Sequence, residues 1–382
     1  MRAAFGHEVR QKISFIIKRN VAGQLAAIAE QVVYTSFSLI VFIIAVTKYD
    51  LNVSAQNLGL IALSNLPVPF QSIQMGWRKS TETNIWLGSR FFSITLSLIT
   101  TVSLASYAAL NNTEINPPII AIFITSGIIA VWSNGIRWIY IKKANFLLLL
   151  YASFTSLLAL LFLELSSLIS GSLSLFVSAL LAKLIFTLLL LNHSTRHGWL
   201  TLLSQPEDFS FDSRSAILAT SRFFRTNGIF TIITIISPSS AISGRLIQQA
   251  ISLCRVIQNP LANYAFFHKK TSYHSTILIQ ISLGTIVAIG ILIGSQFLGI
   301  SSPPILSFLA VFCATLGFVG LFVLRQANEK NLGIASESLS ALLFLLLAIT
   351  LTNSHGYIIG IILSEGILFF AGLLVLYRMR NI

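Results

Sequence analysis

The stretch Phe146–Leu163 reads FLLLLYASFTSLLALLFL. Its 18 positions carry no charge, no glycine and no proline, and as a helix at 1.5 Å per residue it extends about 27 Å. The hydrocarbon core of a bilayer is ~30 Å thick, so the segment matches a helix in lipid. Apolar runs of this kind recur along the whole chain. Of its 382 residues, 55% are hydrophobic and only 10% charged, and the mean hydropathy is +0.82. A soluble domain covers itself with charge, about a quarter of its residues. Short segments of alternating polarity, which would mark a membrane barrel, are not the pattern here. The chain reads as an all-α polytopic membrane protein.

Working outward from that segment gives about twelve spans. The first six are Leu25–Val46, Leu58–Gly76, Phe91–Ala109, Ile119–Tyr140, Phe146–Leu163 and Ser172–Leu191. The second six are Ile217–Ile236, Ala241–Phe266, Ile277–Gly299, Ile305–Leu324, Glu337–Leu351 and Gly356–Tyr377. The basic residues test this count, because cytoplasmic loops of membrane proteins are enriched in Lys and Arg. Segments that fall on one side carry Arg2, Arg10, Lys12, Lys18, Arg19, Arg78, Lys79, Arg90, Arg137, Lys142, Lys143, Arg196, Arg214, Lys269, Lys270, Arg325, Lys330, Arg378 and Arg380. The opposite loops hold Lys48 alone. A missed span would invert every later loop, so the alternation supports twelve spans with both ends in the cytoplasm. It also accounts for the net charge of +13 without nucleic acid. A polar connection from Asn192 to Ser213, with Gln205, Pro206, Glu207 and Asp208, divides the chain into a six-span half (1–192), a cytoplasmic linker (193–213) and a second six-span half (214–382). Carriers built from two such halves bind substrate between them near the midplane. The segment Met1–Ala22 lacks a small-residue cleavage site and leads into an uncleaved first span.

Five basic side chains remain inside spans: Lys183, Arg222, Arg225, Arg245 and Arg255. Glu30 and Glu365 are acidic counterparts, with Glu337 near a span end. A basic group at the centre of a membrane helix costs ~2.5–3.5 kcal/mol on insertion scales, so it needs a partner or a wet cavity. In the eighth span Arg245, Gln248, Ser252, Arg255, Asn259 and Asn263 share an arc of about 80° at ~100° per residue. Such a stripe faces water, substrate or another polar helix; the rival reading is an internal seam with Glu30 or Glu365 as its ion-pair partners. The second span carries Asn57, Ser64 and Gln71 at seven-residue spacing, and the first carries Gln24, Gln31, Thr35 and Ser38, with Tyr34 a turn from Glu30. Pro67, Pro69 and Pro260 are expected to kink or loosen their helices. Arg222, Arg245 and Lys183 lie close enough to span ends that snorkelling to headgroups is an alternative for each. Arg255 lies roughly 20 Å from the polar end of its span at 1.5 Å per residue, too deep for that.

No Walker loop, HExxH, nucleophile elbow or metal-spaced His/Cys set occurs. All six histidines are placed in loops, and Cys254 and Cys313 fall in apolar segments. Bond chemistry, a metal and a cofactor are therefore not expected, and transport is.

At the first two spans the order of residues resembles a known family. Glu30-Gln31-Val32-Val33 with Thr35-Ser36-Phe37-Ser38, the loop Tyr49–Asn57, and Leu58-Gly59-Leu60-Ile61-Ala62-Leu63 resemble the opening of bacterial polysaccharide flippases. These belong to the multidrug, oligosaccharidyl-lipid and polysaccharide exporter superfamily. The seventh and eighth spans resemble the start of that family's second half, with the Ser237-Pro238-Ser239-Ser240 turn and Gln258-Asn259-Pro260 near the end of a polar helix. The first loop has Ala55-Gln56-Asn57 where the family often has Gly-Pro. The resemblance implies a flippase of the bacterial inner membrane that moves an undecaprenyl-diphosphate oligosaccharide for surface polysaccharide (O-antigen type) synthesis, with polysaccharide polymerase and glycosyltransferases as partners besides the membrane lipids. On that reading Arg255, Arg225, Arg222, Arg245 and Lys183, with Gln248 and Asn259, hold the substrate. Arginine forks suit diphosphate oxygens. Glu30 and Glu365 are gates or sites for a coupling ion, Na+ or H+. Rival readings are a multidrug or cation antiporter of the same superfamily, a solute carrier of the major facilitator type, and a non-transporting scaffold of polysaccharide assembly.

Overall fold

The computed structural model describes residues 2–77, 90–143, 145–197, 213–268, 273–297, 304–327, 329–351 and 354–380. Within them the chain is helical throughout. The first half comprises α1 (Arg2–Lys48), α2 (Leu51–Ser64), α3 (Pro67–Trp77), α4 (Arg90–Leu110), α5 (Pro117–Lys142), α6 (Phe146–Leu165) and α7 (Ser174–Arg196). The second comprises α8 (Ser213–Phe223), a π-helical turn (Phe224–Gly228), α9 (Ile229–Ile236), α10 (Pro238–His268), α11 (Tyr273–Phe297), α12 (Pro304–Gln326), α13 (Lys330–Thr350) and α14 (Ser354–Arg380). Taking α2 with α3, and α8 with α9, as single broken spans leaves six spans in each half. Among the described residues eight helices are individually long and apolar enough to cross a membrane. The broken spans and the polar α10 are not among them, and α11 presents the shorter apolar stretch Ile277–Gly290.

Local chemistry sets these breaks. Proline lacks an N–H and pushes the preceding residue out of the α region, and the second span duly breaks at Asn65 and Leu66, just before Pro67. Asn116 starts α5 by accepting the Ile119 N–H at 3.1 Å, with prolines filling the first helical positions. The π turn brings a phenyl ring against Gly228: a Cβ there would lie 2.8 Å from Phe224 Cδ1. Pro260, expected to kink its helix, lies within an uninterrupted α10.

Several boundaries differ from the sequence reading. The second span starts at Leu51, so Asn57 is helical rather than in a loop. Glu337 lies well inside α13 rather than near an end. Arg137, counted with the cytoplasmic loops, sits within α5. His193 lies in α7 and His197 directly follows it, rather than both being in an open loop. Tyr140 bonds to His193 at 2.9 Å, and the two imidazoles stack with centroids 4.0 Å apart. Arg78, Lys79, Lys269, Lys270, Gln205, Pro206, Glu207 and Asp208, and hence most of the expected linker, lie outside the described residues.

The halves meet through the first two spans of each: α1 against α10, α2 against α9, and α3 against α8. The largest apolar cluster joins Val41, Phe42, Ala45, Leu58 and Ala62 to Ile229, Phe230, Ile233, Ala241 and Ile247. These positions lie toward the Lys48, Ile236 and Pro238 ends of their helices. Two hydrogen bonds reinforce this junction: Tyr107 with Thr234 at 2.8 Å, and Gln249 donating to Ser38 at 3.0 Å. At the same end Glu164 accepts from Lys48 at 2.9 Å and from Tyr49 at 3.0 Å. Behind the junction the halves separate around a cavity.

Candidate functional site

The cavity has a volume of about 570 Å³ and is walled by both halves. Its cations are Lys183, Arg222, Arg225, Arg245 and Arg255, so the five basic residues that the sequence reading left inside spans converge on one space. Arg222, Arg245 and Lys183, for which snorkelling is the alternative, each line this cavity. Along α10 the side chains of Arg245, Gln248, Ser252 and Arg255 all face the cavity, as their common arc predicts. Asn259 and Asn263 lie in α10 beyond the point to which its side chains are described.

Carboxylates hold three of the cations. Arg222 makes three contacts to Glu337, at 2.5, 2.9 and 2.9 Å. Arg225 lies 3.8 Å from Glu337 and 3.4 Å from Glu365. Arg255 donates to Glu365 at 3.2 Å. Glu337 and Glu365 are 1% and 5% exposed. The π turn makes this possible, because it carries Arg225 while Arg222 sits at the end of α8. Gly317 in α12 is needed for clearance: a Cβ there would lie 2.2 Å from Glu365 Oε2.

The other two cations are held without acid. Lys183 donates to Asn65 Oδ1 at 3.1 Å. Arg245 donates to Gln248 at 2.8 Å and lies over the Phe230 ring at 4.9 Å. The Nε groups of Arg225, Arg245 and Arg255 are buried with no hydrogen-bond partner. Buried donors left unmet are costly, roughly 1–3 kcal/mol each. Asn65 owes its place to the break before Pro67, which ends α2 beside α7. Five cations thus face two carboxylates. Uncharged polar lining comes from Ser38, Ser64, Asn65, Ser72 and Asn227, and the apolar wall includes Phe318, Leu321 and Phe344.

Two sequence-predicted features are placed elsewhere. Glu30 is engaged by Arg137, whose Nε and Nη2 each lie 3.0 Å from a carboxylate oxygen. Gln31 accepts from the same guanidinium at 2.9 Å, and the Tyr34 ring packs 4.0 Å from it. Of the polar set on the second span, only Ser64 reaches the cavity. Asn57 instead binds the start of α7, donating to Ser172 O at 2.6 Å and accepting from Phe176 N at 2.9 Å. Gln71 bonds to Val131 O and Asn134, each at 2.9 Å. The break at Asn65 resets the helical register between Ser64 and Gln71, whereas Asn57, on the same unbroken helix as Ser64, is claimed by the start of α7.

This architecture has solved counterparts. A structure of a MATE P26A mutant superposes with a TM-score of 0.62 at 16% identity, covering 94% of this chain and 95% of that one. An outward-facing multidrug resistance MATE family transporter of the MOP superfamily gives 0.56 at 12%, covering 94% of both chains. The chain has their fold. A MOP superfamily transporter from Pyrococcus furiosus, described as having a binding pocket of reverse polarity that suggests a different function, gives 0.57 at 14%, again with 94% of both chains covered. No protein-family model matches the sequence, and no curated protein matches it. Its apolar helices and this shared fold make the protein a multi-pass membrane protein.

Proposed function

We propose that this protein is a flippase that carries a lipid-linked, undecaprenyl-diphosphate oligosaccharide across the bacterial inner membrane for surface polysaccharide assembly. The observation that carries this reading is the charge of the cavity. Five cations face two carboxylates, and Lys183 and Arg245 have amide hydrogen-bond partners but no carboxylate among the described residues. A diphosphate supplies the missing negative charge and enough acceptor oxygens for several guanidinium and ammonium donors. Serine and asparagine side chains on the wall suit sugar hydroxyls. The basic-loop bias supports an orientation with the junction of the halves at the outer side and both termini in the cytoplasm, and on that orientation the cavity receives its substrate from the inner leaflet. Transport then requires the halves to part at that junction and close at the opposite end. Polysaccharide polymerase and glycosyltransferases are the partners this role implies. A coupling ion, Na+ or H+, is the remaining expectation, with Glu365, which lines the cavity, better placed to serve it than Glu30.

The second reading is a multidrug or cation antiporter, favoured by the names of the structural neighbours. An excess of fixed positive charge repels cationic cargo in a medium of low dielectric, and this weighs for the anionic substrate. The two readings separate in a deletion strain. Complementation by the wild-type chain, with loss of surface polysaccharide in the Lys183→Ala/Arg245→Ala variant at normal protein level, supports the flippase. Restored drug resistance with unchanged polysaccharide supports the antiporter.

A further inference from the structure

Five charged side chains of the second half form one alternating row: Arg222, Glu337, Arg225, Glu365 and Arg255. The ends of the row are more open to the cavity than its middle. Side chains of Arg222 and Arg255 are 27% and 26% exposed, against 6% for Arg225. The two ends are also held differently. Arg222 grips Glu337 through three short contacts. Arg255 has one contact at 3.2 Å, to Oε1 of Glu365, and its Nε has no partner. Glu365 meanwhile keeps a second arginine, because its Oε2 faces Arg225 Nη1 at 3.4 Å.

That difference matters energetically. A buried carboxylate stripped of its only cation is strongly destabilised, by several kcal/mol. Glu365 avoids that fate when Arg255 departs, since Arg225 remains beside it. Arg225 lies beside both acids, so neither terminal arginine strands one by leaving. Arg255, with one contact at 3.2 Å against three for Arg222, is the more weakly held of the two and the one free to turn to a ligand.

We propose that Arg255 is an exchangeable arm, that Glu365 is a tethered rival anion for it, and that Arg225 is the buried counter-ion that retains Glu365 during the exchange. The proposal rests on the anion-binding reading of the cavity and adds a selectivity rule to it. A ligand takes Arg255 only by outcompeting a carboxylate already in place. A free monocarboxylate offers the same charge and the same two oxygens, without the advantage of a tether. A diphosphate offers more charge and more oxygens, and Lys183 and Arg245 can receive those that Arg255 does not. The site therefore selects phosphates over carboxylates. Arg225 becomes a positioning residue rather than a ligand contact.

The test is a binding titration of the full chain in lipid nanodiscs with inorganic pyrophosphate and, separately, acetate. The wild type is expected to bind pyrophosphate and to ignore acetate. Arg255→Ala should weaken pyrophosphate at least tenfold. Glu365→Gln should strengthen it about tenfold and should admit acetate. Glu365→Asp, with a shorter reach toward Arg255, should strengthen it by less and serves where the Gln variant does not fold. Arg225→Met should lower the melting temperature more than Arg255→Met does. Weaker pyrophosphate binding in both Glu365 variants overturns the rival-anion role while leaving the cavity reading intact. A wild type that does not bind pyrophosphate overturns the cavity reading itself.

Discussion

Arg137 and Glu30 form a two-pronged ion pair, with Nε and Nη2 each 3.0 Å from a carboxylate oxygen across 107 positions of sequence. It ties α5 to α1 behind Tyr34, whose ring packs on Arg137 and lines the cavity, and Glu30 is 2% exposed. Breaking a buried pair from one side leaves an uncompensated charge and costs about 3–5 kcal/mol, whereas an apolar replacement of both partners is often neutral or better. Glu30→Ala and Arg137→Ala should each lower the melting temperature in detergent. The double variant Glu30→Met/Arg137→Met should recover most of the loss. Unchanged melting in the single variants would show that the pair contributes nothing.

The fate of these two residues shows where sequence reading succeeds and where it stops. Span number follows from apolar length and from the alternation of basic loops, both of which are local properties. The stripe from Arg245 to Arg255 follows from helix period alone, and the structure places it on the cavity. Pairing across helices has no such local signature. Arg137 lies near the basic end of its span and reads as a loop residue, yet Glu30 claims it from α1. Glu337 looked terminal only because the polar first turns of α13 were excluded from the apolar stretch. Glu164 and Lys48 each flank a span and find each other only in three dimensions. One cue was available: Ser133, Asn134 and Arg137 make a polar run inside an otherwise apolar span, and such runs ask for partners.

Asn65 tests the link between the helix break and the site. Its Oδ1 is the group that holds Lys183, at 3.1 Å. Hydrogen bonds to charged groups contribute roughly 1.5–3 kcal/mol, so Asn65→Ala should weaken pyrophosphate binding by about tenfold through loss of lysine positioning. Asn65→Asp should weaken it further, because it gives Lys183 a carboxylate of its own. Isothermal titration of both variants checks the order; stronger binding in the Asp variant would reverse it.

Gly317 tests the packing behind the charged row. A methyl at that position would lie 2.2 Å from Glu365 Oε2 and 2.9 Å from its backbone oxygen. Overpacking of this kind costs typically 1–3 kcal/mol, so Gly317→Ala should lower the melting temperature by several degrees. Gly366→Ala, where an added methyl has nothing within 4 Å, is the matched control and should change little. Equal effects of the two substitutions would remove the claimed close fit.

Surface polysaccharide in cells depends on many proteins, so the central claim is best tested on purified protein. The measurement is translocation of a fluorescent polyprenyl-diphosphate glycan across the bilayer of reconstituted vesicles, comparing the wild type with Lys183→Ala/Arg245→Ala. The account predicts translocation by the wild type and at least a tenfold slower rate in the variant, with both proteins folded and equally incorporated. Equal rates, or movement of a cationic drug in place of the glycan, would contradict it.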